Sequence, residues 1–87
     1  MASDPILALR KQVIASIKSR LALIAGYGSD EAMTQTELAE MLGLSRPRLN
    51  LLLRGKAAEF NLESLLRIAL TTGLSVRLSL TRPYAND

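Results

Sequence analysis

Eighty-seven residues, 48% of them hydrophobic, suffice for one small domain built around a single modest core. The absence of cysteine excludes disulfides and thiolate metal sites, and the absence of histidine removes the commonest general base and the commonest metal ligand. Eleven Lys and Arg against eight Asp and Glu leave a formal charge of +3, an excess whose placement matters more than its size.

The apolar residues are mostly Leu, Ala and Ile, and the aromatics are Phe60, Tyr27 and Tyr84, a balance that favours a helical protein over a β-sandwich. The amino-terminal "MASDPILALRKQ" is acidic before it is apolar, which is not the order of a signal peptide. The longest apolar stretch, "LALIAGYG", is far too short to cross a bilayer. The expectation is a soluble cytoplasmic protein with no membrane partner.

A first helix can be read from its caps. Ser3 or Asp4 can cap it, and Pro5 suits the first helical position. Ile6, Leu9, Val13, Ile17, Leu21 and Ile24 recur at spacings of three or four, which predicts a buried stripe. Gly26 and Gly28 end the run, and "GYGSDEA" reads as a polar connection.

A second helix begins at Thr34, which forms a capping-box pattern with Glu37. Leu38, Ala39 and Leu42 give its inner stripe and Gly43 its stop. Ser45 caps a third helix that runs to about Leu53, where "RGK" interrupts it. Asn61 caps a fourth, with Glu63 in its first turn and Phe60 placed to staple against Leu65. Leu62, Leu65, Leu66, Ala69 and Leu70 are its expected buried side, and Gly73 ends it.

In "LSVRLSL", Leu74, Val76, Leu78 and Leu80 alternate with Ser75, Arg77 and Ser79, the period of a half-buried strand. One strand has no partner in an otherwise helical chain, and an open edge invites pairing with a second copy. The expectation is a homodimer joined by a two-stranded antiparallel sheet; the alternative is an extended tail lying on its own core. The last residues, 81–87, read as a disordered tail. The whole gives one domain over residues 1–80, with a helix-turn-helix motif over 34–56 and the dimerisation strand over 74–80.

Two short helices joined by a turn at Gly43 match the helix-turn-helix plan. Ala39 is small where the helices must approach, and Leu49, Leu52 and Leu53 cluster on one side of the third helix at about 100° per residue. The other side presents Pro47, Asn50, Leu51 and Arg54, flanked by Arg46 and Arg48. From Ser45 to Lys56 there are four cations and no acid. Cations on the first turn of a helix oppose its dipole, so their placement points to an anionic partner such as the phosphates and base acceptors of a duplex groove.

Residues 34–80 resemble the Cro/repressor-type helix-turn-helix proteins, the XRE family, with a lambda-repressor-like fold. "TQTELAEMLGLSRPRLNLLLRGK", the Leu-rich helix after it and the closing strand are similar to the HigA-type antitoxin subgroup. The resemblance implies an all-α bundle of four to five helices with a strand paired across a homodimer. It implies that Gln35 contacts a phosphate and that Ser45 caps the recognition helix and donates to the backbone. Arg46, Pro47 and Arg48 fall in the family's base-reading turn, where arginine suits guanine and proline offers an apolar contact. Asn50 and Leu51 face the groove further along, Leu51 having a rival role as a dimer contact. Arg54 and Lys56 are placed for phosphates, which position without specifying.

The implied function is a dimeric repressor on a palindromic DNA operator. A toxin protein is a further candidate partner if the chain is an antitoxin; the alternative is a stand-alone repressor. No cofactor or metal is expected. Eight acids without useful pairing, and no His or Cys, leave no usual catalytic set, so an enzyme is not expected.

Overall fold

The computed structural model describes residues 4–26 and 33–82. Four α-helices follow one another: α1 Pro5–Ala25, α2 Gln35–Leu42, α3 Arg46–Leu53 and α4 Leu62–Thr71, with a 3-10 turn at Ala57–Glu59 between the last two. The described residues form a helix-turn-helix bundle and contain no strand.

Local chemistry sets the helix ends. Asp4 caps α1 by accepting from the Ile6 amide at 2.9 Å, with Pro5 at the first turn and Gly26 closing the far end in the left-handed region. The alternative cap, Ser3, and the connection over 27–32 lie outside the described residues. The capping box of α2 is complete: Glu37 N–H donates to Thr34 Oγ1 at 3.1 Å and Thr34 N–H to Glu37 Oε1 at 2.9 Å. Asn61 Oδ1 accepts from the Ser64 amide at 2.8 Å to open α4.

The core is one cluster in which Ile14, Ile17 and Leu21 of α1 meet Leu38, Ala39 and Leu42 of α2, Leu49 and Leu52 of α3, Phe60, and Leu65, Ile68 and Ala69 of α4. α1 lies along α4 and the 3-10 turn, while α2 and α3 pack on each other. Two expected stripes are corrected. In α1 the buried face is Ile14, Ile17, Leu21 and Ala25, whereas Ile6 and Leu9 are 45% and 43% exposed. Leu7 packs on the core instead, so the covered side of the first turns runs through Leu7 and not through Ile6 and Leu9. In α4, Ile68 is buried, whereas Leu70 of the expected stripe is 57% exposed. A face centred on Leu65 includes Ile68 and Ala69, and Leu70 lies outside it.

α4 is tied back to α1 at its carboxyl end. The Arg20 guanidinium donates from Nε to the Thr72 carbonyl at 2.8 Å, and the buried Thr72 hydroxyl donates to the Ala69 carbonyl at 2.7 Å. A cation on the last carbonyls of a helix satisfies groups that lack an intrahelical partner and suits the dipole. Gly73 follows at φ 90°, a conformation that favours glycine, and a Cβ there would stand 3.1 Å from Arg20 Nη2, which would have to shift slightly.

Beyond Gly73 the chain leaves the bundle. Leu74 is half-buried against the core, but residues 75–82 are all exposed, with Leu78 at 81% and Leu80 at 86%. Of the alternating residues, Leu74 keeps a contact with the core, whereas Leu78 and Leu80 are left largely uncovered by the described chain. Of the expected tail, residues 83–87 lie outside the described residues.

Leu49 is 0% exposed, and Gly43 sits at φ 69° with open space where a Cβ would stand. Leu49→Ala should cost about 2–5 kcal/mol through its cavity, and Gly43→Ala about 1–2 kcal/mol through left-handed strain alone. Urea unfolding followed by circular dichroism checks the order; equal losses would mean that Leu49 is not the closer-packed site.

Candidate nucleic-acid interface

The turn between α2 and α3 fixes the angle at which α3 leaves the core. Gly43 stands at φ 69°, its N–H donating to the Glu40 carbonyl at 3.2 Å, and the Leu44 N–H reaches back to the Ala39 carbonyl at 2.9 Å. Ser45 Oγ then accepts from the Arg48 amide at 3.2 Å, and Pro47 sits in the first turn where no amide is needed. Leu49 and Leu52, both 0% exposed, hold one side of α3 against the core. The expected third member, Leu53, is half-buried.

With that side anchored, the outer side follows. Arg46, Pro47, Asn50, Arg54 and Lys56 are exposed, as are Gln35 and Ser45 at the adjoining helix starts. Arg48 and Leu51 are half-buried, and Leu51 packs on the core. The exposed candidates lie on α3, the start of α2 and the connection after α3, with Arg46 and Gln35 in direct contact and Leu51 turned partly inward.

The arginines differ in their surroundings. Arg46 reaches from α3 to the start of α2: Nη1 donates to Thr36 Oγ1 at 2.8 Å and Nη2 to Gln35 Oε1 at 3.1 Å. With its oxygen held, the Gln35 amide nitrogen is left as the free donor. Arg48 reaches the other way, over the Phe60 ring at 4.1 Å and onto the Glu59 carbonyl at 2.9 Å from Nη1. Sequence reasoning misses Thr36, Glu59 and Phe60 as neighbours of these guanidinium groups. A Thr ten residues away on another helix carries no sequence signal, and Phe60 is legible only as a helix staple.

Among the described residues the ion pair is Arg67–Glu63 on α4, at 2.8 Å and well exposed. None of the four cations between residues 46 and 56 is neutralised by a carboxylate of the described chain. They add to one positive surface. No group of His, Cys, Asp and Glu among the described residues could hold a metal. No helix among them is long and apolar enough to cross a membrane.

A protein-family model described as a helix-turn-helix domain matches residues 7–81. The chain belongs to the helix-turn-helix domain family. The match takes in α1 and the segment after α4 as well as the α2–turn–α3 unit. No curated protein matches this sequence. A helix-turn-helix domain is the arrangement of a DNA-binding regulator.

Ser45→Ala should cost about 0.5–2 kcal/mol of stability by opening the first turn of α3. Chemical denaturation measures that, and Ser45→Asp should recover most of the loss because a carboxylate both caps the turn and suits the dipole.

Proposed function

We propose that this helix-turn-helix protein is a dimeric, sequence-specific DNA-binding regulator of the XRE, lambda-repressor-like type. It represses transcription by occupying a palindromic operator. The observation that carries the reading is the outward side of α3 and its flanking turns: four cations without a carboxylate partner in the described chain, over a side pinned by Leu49 and Leu52. A basic, unneutralised helix face is the electrostatic footprint of a duplex.

In this reading α3 enters the major groove, and Arg46, Pro47 and Asn50 face the bases. Arginine pairs with guanine O6 and N7, and asparagine with adenine N6 and N7. Gln35, Arg54 and Lys56 lie against phosphates, Ser45 presents the start of α3 to the backbone, and Arg48 adds its charge to the same surface. Leu51, half-buried, serves the packing of α3.

The dimer uses Leu74, Val76, Leu78 and Leu80, paired as an antiparallel ribbon about a two-fold axis. What supports this is exposure: Val76, Leu78 and Leu80 are 42%, 81% and 86% exposed. Beside them an apolar groove of about 510 Å³ runs between α1, α4 and the segment itself. Two-fold symmetry sets the recognition helices about 34 Å apart, one turn of DNA.

An antitoxin that also represses its own operon is a second reading, and exposed apolar residues on α1 favour it: Ile6 and Leu9 near its start and Leu23 near its end are 45%, 43% and 76% exposed. Co-purification with the product of a neighbouring reading frame would separate it from a stand-alone repressor. Loss of that complex in Leu23→Glu would place the contact on α1.

DNA recovered from a random pool tests the central reading. Arg46→Ala should lose about 1–3 kcal/mol at one base pair, and Lys56→Ala should weaken every duplex alike while lowering the salt slope by about 0.9. Identical profiles for the two variants across single-base-pair substitutions would overturn the division between base and phosphate contacts. Leu78→Glu should abolish the dimer in sedimentation and, with it, tight binding to two half-sites. The folded monomer should survive, since residue 78 is exposed.

A further inference from the structure

Arg48 stands in the middle of the DNA-facing turn, yet its guanidinium is turned toward its own chain. Its central carbon lies 4.1 Å from the Phe60 ring centroid, and Nη1 donates to the Glu59 carbonyl at 2.9 Å, eleven residues along. Phe60 is 2% exposed and belongs to the core. A guanidinium stacked on a ring and donating in its own plane uses both binding modes of arginine at once, which lysine cannot reproduce.

These contacts close a ring of chain from the first turn of α3 to Phe60. Inside that ring lies the "RGK" connection with Arg54 and Lys56. Its backbone is hydrogen-bonded at the near end, Arg54 N–H to Asn50, Gly55 N–H to Leu52 and Lys56 N–H to Leu51, each at 3.0 Å. At the far end Ala57 N–H donates to Gly55 at 2.8 Å and Glu59 N–H to Lys56 at 3.0 Å, and Arg48 adds a side-chain tie from α3 to the 3-10 turn Ala57–Glu59. The spacing between the outward turn of α3 and the cations of the connection is thereby fixed before any ligand arrives.

We propose that Arg48 is a positioning residue for DNA docking, a brace that sets Arg54 and Lys56 at phosphate distance from the groove-facing turn, and not a reader of bases. The inference rests on the DNA-binding reading above. Holding two sets of contacts in register lowers the ordering cost of association, so the brace acts on affinity for all sequences alike.

The test compares Arg48→Ala, Arg48→Lys and Phe60→Leu in the full chain, each confirmed folded by circular dichroism. The probes are the tightest duplex recovered from a random pool and its single-base-pair variants. Phe60 is buried and cannot touch DNA, so its substitution loosens the brace without removing a contact. Each variant should weaken all duplexes evenly, roughly tenfold, with Arg48→Ala losing somewhat more because it also removes a positive charge. In each background Lys56→Ala should add less than it does in the wild type, because the two act through one geometry. Hydrogen exchange of the free protein should show faster exchange of the Lys56 amide in Arg48→Ala.

A loss concentrated at one base pair would make Arg48 a base reader, and full affinity in Arg48→Lys would make it a simple phosphate contact; either overturns the proposal. So would a folded Phe60→Leu that binds like the wild type. Should Phe60→Leu not fold, the Arg48 pair and the exchange measurement decide alone. A wild type that binds no duplex at low salt removes the DNA-binding reading and the docking role together. Unchanged Lys56 exchange removes the brace itself.

Discussion

Everything functional in this domain depends on the burial of Leu49 and Leu52 under α3. A helix of eight residues is too short to be stable in water by itself, so its existence rests on packing. The same two leucines also choose which side of α3 faces out. A rotation of one residue, about 100°, would carry Asn50 inward and a leucine outward. The contact that stabilises α3 thus also sets which of its side chains face outward.

That economy has a local cost. The first turn of α3 carries two arginines and no acid, against the helix dipole. The structure offsets it by means that do not neutralise the surface. Ser45 caps the turn, Pro47 needs no amide partner, and each guanidinium is held by uncharged oxygens: Thr36 and Gln35 for Arg46, the Glu59 carbonyl for Arg48. A carboxylate in any of these places would stabilise α3 more and cancel the field an anionic ligand would meet. Neutral acceptors orient the cations and leave their charge in place.

What is legible in the sequence and what is not divides by range. The caps of α2, α3 and α4 are legible because a hydroxyl or amide three residues from its partner needs no tertiary information. The inner sides of α2 and α3 are legible for a related reason: short helices between fixed turns have little freedom in which face they bury. The start of α1 misleads, because Ile6, Leu7 and Leu9 are all apolar and the one that packs on the core is Leu7. Periodicity alone does not choose between such neighbouring faces. The arginine contacts are invisible, since each joins residues ten or eleven apart on different elements. Membership in the helix-turn-helix domain family stands on residues 7–81, while individual site roles rest on geometry and chemistry.

The segment after Gly73 shows how pattern alone constrains an assembly. If two copies pair antiparallel about a two-fold axis, apolar residues fall opposite apolar ones only when the axis passes through a residue. An axis between residues would set each leucine against a serine or arginine and put the two apolar rows on opposite faces. An axis through Arg77 matches Leu74 with Leu80 and Val76 with Leu78, the fullest set, but places the two Arg77 side chains directly opposite each other. Moving the axis to Val76 or Leu78 separates the arginines and leaves one apolar residue of each copy unmatched at the end. Cross-strand pairs contribute about 0.2–1 kcal/mol each, whereas repulsion between exposed cations is screened by water and salt and stays at the low end of that range. In the proposed dimer the apolar matches would therefore win, and Arg77 would lie on the solvent side of the ribbon; it is exposed in the single chain.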